Sequence, residues 1–151
     1  MRRSSMKTCD RGQVLVLVAL AFVVLLGFAA LAIDVGYMYT VRNELQRCAD
    51  AGALAGASAF VDNSVAIVDL DITARDRART FASRNTVAGS LLDSATDVTV
   101  EVRLADNLVR VTTDCTVNLF FAGIFGMQRT MIQAVAAANH SPSDNTLKLV
   151  E

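Results

Sequence analysis

The chain has no tryptophan, one proline, one histidine and three cysteines among its 151 residues. A single proline excludes a polyproline linker or a collagen-like repeat. A single histidine, His140, cannot furnish a histidine-rich metal site or anchor a convincing catalytic relay. Cys9, Cys48 and Cys115 form neither a CxxC pair nor an even disulfide framework. Charge is sparse at 19% and nearly balanced at −1, which argues against a protein that grips nucleic acid by neutralising phosphates. What the chain does have is apolar residues, 53% of the total, with a mean hydropathy of +0.41. That is too apolar for a disordered chain and unusual for a soluble one. An enzyme is disfavoured: there is no nucleophile–base pair, phosphate-binding glycine loop or metal constellation.

The apolar residues are concentrated. Val14 to Ile33 is a run of twenty residues with no charged or strongly polar side chain. Fourteen are Leu, Ile, Val or Phe, and the rest are alanines and Gly27. At about 1.5 Å per residue such a helix spans roughly 30 Å, the thickness of a bilayer's hydrocarbon core. Inserting the fourteen large residues gains roughly 4–8 kcal/mol. A buried helix of a soluble domain is the competing reading, but an unbroken, all-round apolar run of this length is rare in a small domain. Arg2, Arg3, Lys7 and Arg11 outweigh Asp10 ahead of the run, whereas ten basic and fourteen acidic residues follow it. The positive-inside rule therefore predicts a cytoplasmic N-terminus and an extracytoplasmic remainder. Ala30-Leu31-Ala32 has the small-x-small form of a signal-peptidase site, so a cleaved, secreted module is the alternative. A signal peptide's apolar region runs about 7–15 residues, shorter than this one, which favours an uncleaved anchor.

Nothing breaks the chain from Asp34 to Phe60. Asp34, Met38, Val41, Leu45, Cys48 and Gly52 follow one another at helical spacing, and Glu44 is placed to pair with Arg47. The segment Ala49–Ala59 then alternates small residues, with Gly52 and Gly56 four apart and Ala49, Ala53 and Ala57 likewise. Small residues at that spacing let a second backbone come close. Further on, Val61–Asp71 reads as a connection with a short strand. Thr73 with Asp76 has the form of a capping box, opening a helix with Ala74, Ala78, Phe81 and Ala82 on one face and Gly89 as its stop. Val98, Val100, Val102 and Leu104 alternate with polar residues, as do Val109, Val111, Thr113, Cys115 and Val117 after a turn at Asp106-Asn107. This predicts a hairpin. Asn118 is placed to cap a short helix containing Phe120, Phe121, Ile124 and Phe125, closed by Gly126. Arg129–Ala138 reads as a third strand, and the residues from Ser141 on as a polar, frayed tail that also takes in His140.

The architecture expected is α+β and pilin-like. Residues 1–13 form a basic cytoplasmic N-terminus and 14–33 the transmembrane helix. Residues 34–60 extend the same helix, 61–140 form a small domain with a three-stranded antiparallel sheet and short helices, and 141–151 a flexible tail. The long helix would run about 70 Å.

Several stretches carry a family resemblance. They are Arg11-Gly12-Gln13, the apolar run, Ile33-Asp34-Val35-Gly36, and the sequence from Leu45-Gln46 through Ala49-Asp50-Ala51 and Ala53-Leu54-Ala55-Gly56-Ala57. There the chain resembles the TadE/TadG-like proteins of tight-adherence (Flp) pilus assembly, over roughly residues 11–60. The resemblance implies a non-enzymatic, single-pass protein of the bacterial inner membrane, a minor pseudopilin, with a periplasmic C-terminal domain. Its partners would be membrane lipid, other pilus or pseudopilin subunits and inner-membrane platform proteins, with no cofactor, nucleic acid or small-molecule substrate. Asp34, Gly36, Leu45, Gln46, Ala49, Asp50, Gly52, Ala53 and Gly56 are the packing positions it suggests. A prepilin-peptidase site would need Glu five residues after Gly12, and Leu17 stands there instead, so the chain is expected to keep residues 1–12.

Individual residues carry competing readings. Asp34 either marks where the helix leaves lipid or pairs with a cation on a partner subunit. Gly52 and Gly56 pack either on the chain's own sheet or on a neighbour's helix. Cys48 and Cys115 form a bridge between helix and sheet, or remain two buried thiols. Asp69 and Asp71, spaced to share a strand face, supply too few oxygens for Ca²⁺, and no metal site is expected.

Overall fold

The computed structural model describes residues 10–141 and 146–150. Cys9 and most of the basic N-terminus lie outside the described residues, as do 142–145 and Glu151.

With no proline and an alanine-rich second half, the first segment forms one uninterrupted helix, α1 (Asp10–Ala57), finished by a 3-10 turn at Ser58–Phe60. Its two halves differ in environment. From Val14 to Ala29 every residue is exposed, whereas Val41, Leu45, Cys48, Ala49, Ala53 and Ala57 are buried. The first half is long and apolar enough to cross a membrane, and nothing in the described chain covers it. The second half is the central rod of a small α+β domain.

A second helix, α2 (Leu70–Ser83), lies along that rod, entered through a 3-10 turn at Ile67–Asp69. It starts three residues before the expected capping box, so Thr73 sits inside it, and Asp69 at its N-cap makes no side-chain cap. The short strand expected within 61–71 does not form, and Asp69 and Asp71 occupy the helix entry, where Asp71 pairs with Arg75. Ala74, Ala78 and Ala82 are buried as expected, but Phe81 lies half-exposed beneath the Arg84 guanidinium, 4.9 Å from its ring centre.

Gly89 does not stop the helix. It turns a small hairpin between β1 (Thr86–Val87) and β2 (Ser90–Leu91), where Ala88 and Gly89 both take positive φ, as primed two-residue turns require. The main sheet has the order β3 (Val98–Arg103), β4 (Leu108–Asn118), β5 (Arg129–Ser141) and β6 (Thr146–Val150), antiparallel throughout. The predicted hairpin is β3–β4, with Asn107 left-handed at its turn. The sheet has four strands where three were expected, because the supposed tail folds back as β6. His140, read as a tail residue, pairs with Leu147.

The sheet's inner face packs against α1 and α2. It presents Val98 and Val100 from β3, Val109, Val111, Thr113 and Val117 from β4, and Ala134, Ala136 and Ala138 from β5. The β5 alanines stand directly opposite Thr113, Val111 and Val109, which places methyl groups where α1 approaches most closely. Small side chains on both the rod and β5 make a thin, closely packed core.

Candidate functional site

The outer half of α1 is the structural axis on which most of the expected packing residues converge. Leu45, Ala49, Gly52, Ala53 and Gly56 all face inward. A methyl added at Gly52 would stand 2.9 Å from the Ala78 carbonyl and 3.0 Å from the Ala82 Cβ. One added at Gly56 would stand 2.8 Å from Val109 Cγ1 and 3.1 Å from the Ala74 carbonyl. The two glycines thus form the seam with α2 and β4 of their own chain. Of the two readings open for them, the intramolecular one describes the structure, with α2 as the main neighbour. Gln46 lies at the margin of this seam, where its amide donates to Asp50 (2.9 Å) and to the Val135 carbonyl on β5 (3.2 Å). Gly36 differs: it is exposed, with nothing among the described residues within 4 Å of an added Cβ.

Below the seam, β4 runs down towards the apolar half of α1, and the β4–β5 connection meets Asp34. Asp34 is 1% exposed. One carboxylate oxygen accepts the N–H of Phe120 (2.9 Å), and the other accepts those of Phe121 (3.0 Å) and Ala122 (2.7 Å). Three successive backbone donors converging on one carboxylate make an anion nest whose anion is supplied by the helix. Tyr37, one turn on, stacks edge-to-face on Phe120 with ring centres 5.3 Å apart. The hydrogen bonds of Asp34 thus run within the chain, and its burial leaves the carboxylate little open to a partner's cation. Asn118, expected to cap the short helix, ends β4 instead, and the 3-10 turn Ala122–Phe125 closes at Gly126 in the left-handed conformation.

Across the axis, Glu44 accepts the Ala88 N–H (2.8 Å) instead of pairing with Arg47, which ties the β1–β2 turn to α1. Thr113, buried in the sheet, donates its hydroxyl to the Leu45 carbonyl (3.1 Å), so the one polar side chain of the inner β4 face is satisfied. Arg75 reaches the Val100 carbonyl (2.6 Å), and Arg77 pairs with Asp62 after the end of α1.

Cys48 and Cys115 are free thiols. The rod and β4 run in opposite directions, and Leu45 meets Thr113. Cys48 is three helical residues to one side of that contact and Cys115 two strand residues to the other, an offset of about 11 Å. A disulfide bridges Cα atoms only about 4.4–6.8 Å apart. Burial, then the carboxylates of Asp97 and Asp114, push the Cys115 thiol up and keep it protonated at neutral pH.

The Asp34 clamp was not found from the sequence, although its parts were visible. An acid at the edge of an apolar run and a second apolar cluster ending in glycine were each noted, but their contact spans 86 residues.

The long helix, with its apolar first half and small-residue second half, carries a match to a known family. Residues 12–59 match the Flp pilus-assembly TadE/G-like (Tad) family. The Tad segment takes in most of α1, and Asp34, Leu45 and the Gly52–Gly56 seam all lie within it. Neither a curated protein nor a solved structure matches the chain. The domain built on the Tad segment, from α2 to β6, lies beyond the matched residues.

Proposed function

We propose that the chain is a non-enzymatic, single-pass inner-membrane subunit of a Flp-type pilus or related secretion apparatus, pseudopilin-like in plan. Residues 14–33 lie in lipid, the N-terminus faces the cytoplasm and the domain faces the periplasm. The observation that carries this reading is an apolar helix of bilayer length whose residues from Val14 to Ala29 are all exposed, yet which is continuous with the rod of a folded domain. A soluble protein would have to cover that surface. The excess of basic residues ahead of the span supports the orientation, and the Tad match of residues 12–59 supports the pilus context.

Contacts with other subunits would use surfaces the chain leaves open. The far end of the domain exposes Ile67 (86%) and Val68 (83%) side by side, and Gly36 offers a close approach on α1. The direct test is carbonate extraction of membranes from expressing cells, followed by protease treatment of intact spheroplasts. The subunit should remain in the pellet, and its domain should be digested only when the periplasmic face is accessible. Recovery of a shortened, soluble product in the periplasmic fraction would instead support a module cleaved near Ala32.

A further inference from the structure

The β4–β5 connection does not point away from the apolar half of α1; it leans back along it. Residues 119–128 contain no charged side chain and include Phe120, Phe121, Ile124 and Met127. Phe120 is 65% exposed, Ile124 81% and Met127 63%, a concentration of apolar surface that monomeric domains seldom leave in water. Between this loop and α1 runs a groove of about 490 Å³. It is lined on the helix side by residues from Leu26 to Asp34 and on the loop side by Phe121, Ala122, Ile124 and Met127. Ala30 is the first residue of the apolar run to be partly covered. Counted down the helix from Asp34, the lining reaches eight residues into the run, about 12 Å.

The loop's backbone is equally suited to a place without water. Phe120, Phe121 and Ala122 donate to the Asp34 carboxylate. Leu119 donates to Gln128, Ile124 to Phe121, Gly126 to Gly123 and Met127 to Ala122. Irregular backbone is tolerated at membrane depth only where its polar groups find partners inside the protein. Just above the loop, exposed Tyr39 and Arg42 on α1 flank Met131, the residue types of a headgroup-level belt.

From these observations we infer a second membrane contact. The loop of residues 119–128 inserts into the outer leaflet beside the span, acyl chains fill the groove against α1, and the domain is thereby seated on the bilayer surface. The occupant is lipid because the loop's apolar surface continues that of the uncovered helix. Asp34 is then a structural anion that satisfies three donors which lipid could not. This inference rests on the reading of residues 14–33 as a span.

The absence of tryptophan makes the test direct. Full-length Phe22→Trp, Ile124→Trp and Val68→Trp proteins are reconstituted into phosphatidylcholine–phosphatidylglycerol vesicles with brominated acyl chains, and each is also titrated with aqueous iodide. Quenching of Phe22→Trp by bromine establishes the span. Ile124→Trp should then also lose most of its emission to bromine, emit to the blue and resist iodide, whereas Val68→Trp should respond to iodide alone. Iodide quenching of Ile124→Trp as strong as that of Val68→Trp would overturn the inference and leave the span standing. Shielding of Ile124→Trp from both quenchers would overturn it in favour of a covering protein. Failure of bromine to reach Phe22→Trp would overturn both readings.

Discussion

At the residue scale the structure turns on groups that are small or singly charged. Asp34 holds three donors at once, so replacing it exposes what each bond was offsetting: a buried N–H without a partner costs more than the bond itself contributed. Asp34→Ala is expected to move the amide-proton resonances of Phe120, Phe121 and Ala122 upfield, as loss of a charge-assisted hydrogen bond requires, while those of β3 and β4 stay in place. Asp34→Asn should give an intermediate result, because its amide keeps an acceptor but turns an N–H₂ towards the nest. Unchanged resonances at those three amides in Asp34→Ala would contradict the clamp. The glycines separate into two kinds by the same reasoning. At Gly36 a methyl meets nothing, so Gly36→Ala should stabilise the helix by about 0.5–1 kcal/mol. At Gly52 a methyl meets the Ala78 carbonyl at 2.9 Å, and overpacking of about 1–3 kcal/mol outweighs the gain in helix propensity. Gly52→Ala should therefore lower the denaturation midpoint of the solubilised protein, and Gly36→Ala should raise it.

At the element scale, whatever is periodic was legible. The stripe Val41, Leu45, Cys48 and Gly52 and the alternations of β3 and β4 are written in the sequence, because each element buries one face and repeats over several turns or residues. Short or edge elements were not. β6 has five residues and is barely buried, so its Leu-Lys-Leu alternation is too brief to rise above a polar tail. α2 begins without a side-chain cap, and the residues that look like a capping box fall inside it. The pairing of Asp62 with Arg77 joins the end of α1 to α2 across fifteen residues of chain that periodicity does not reach. Hydrogen bonds from Arg77, then from the Ser64 hydroxyl and N–H, hold the Asp62 carboxyl down at about 2. An unfolded aspartate titrates near 3.9, so this contact contributes fully above about pH 4 and is lost as pH falls towards about 2. Asp62→Asn should be less stable than the parent chain at neutral pH, and the gap between their chemical-denaturation midpoints should shrink steadily below pH 4. A gap of constant size across that range would mean that the pair contributes nothing.

At the scale of the whole molecule, the membrane-anchored reading proposed above stacks two nearly independent sources of stability along one helix. On that reading the apolar half of α1 gains roughly 4–8 kcal/mol from lipid, whatever the domain does. The outer half gains nothing from lipid and depends on α2 and the sheet meeting it across the Gly52–Gly56 seam, where side chains are absent or methyl-sized. A large residue in the seam should therefore unfold the domain without releasing the protein from the membrane. Gly56→Leu places a branched side chain where even a Cβ comes within 2.8 Å of Val109 and 3.1 Å of the Ala74 carbonyl. Neither the β4 side chain nor the α2 backbone can withdraw without opening the core. The variant should stay in the carbonate-resistant pellet as the parent does, but its domain should be degraded at protease concentrations the parent survives. Loss of Gly56→Leu from the pellet would show that insertion and domain folding are coupled, and that the seam contributes to anchoring as well as to packing. Retention together with protease sensitivity would place the two halves of α1 in separate energetic roles, the arrangement expected of a subunit whose domain is presented by, and not stabilised by, its anchor.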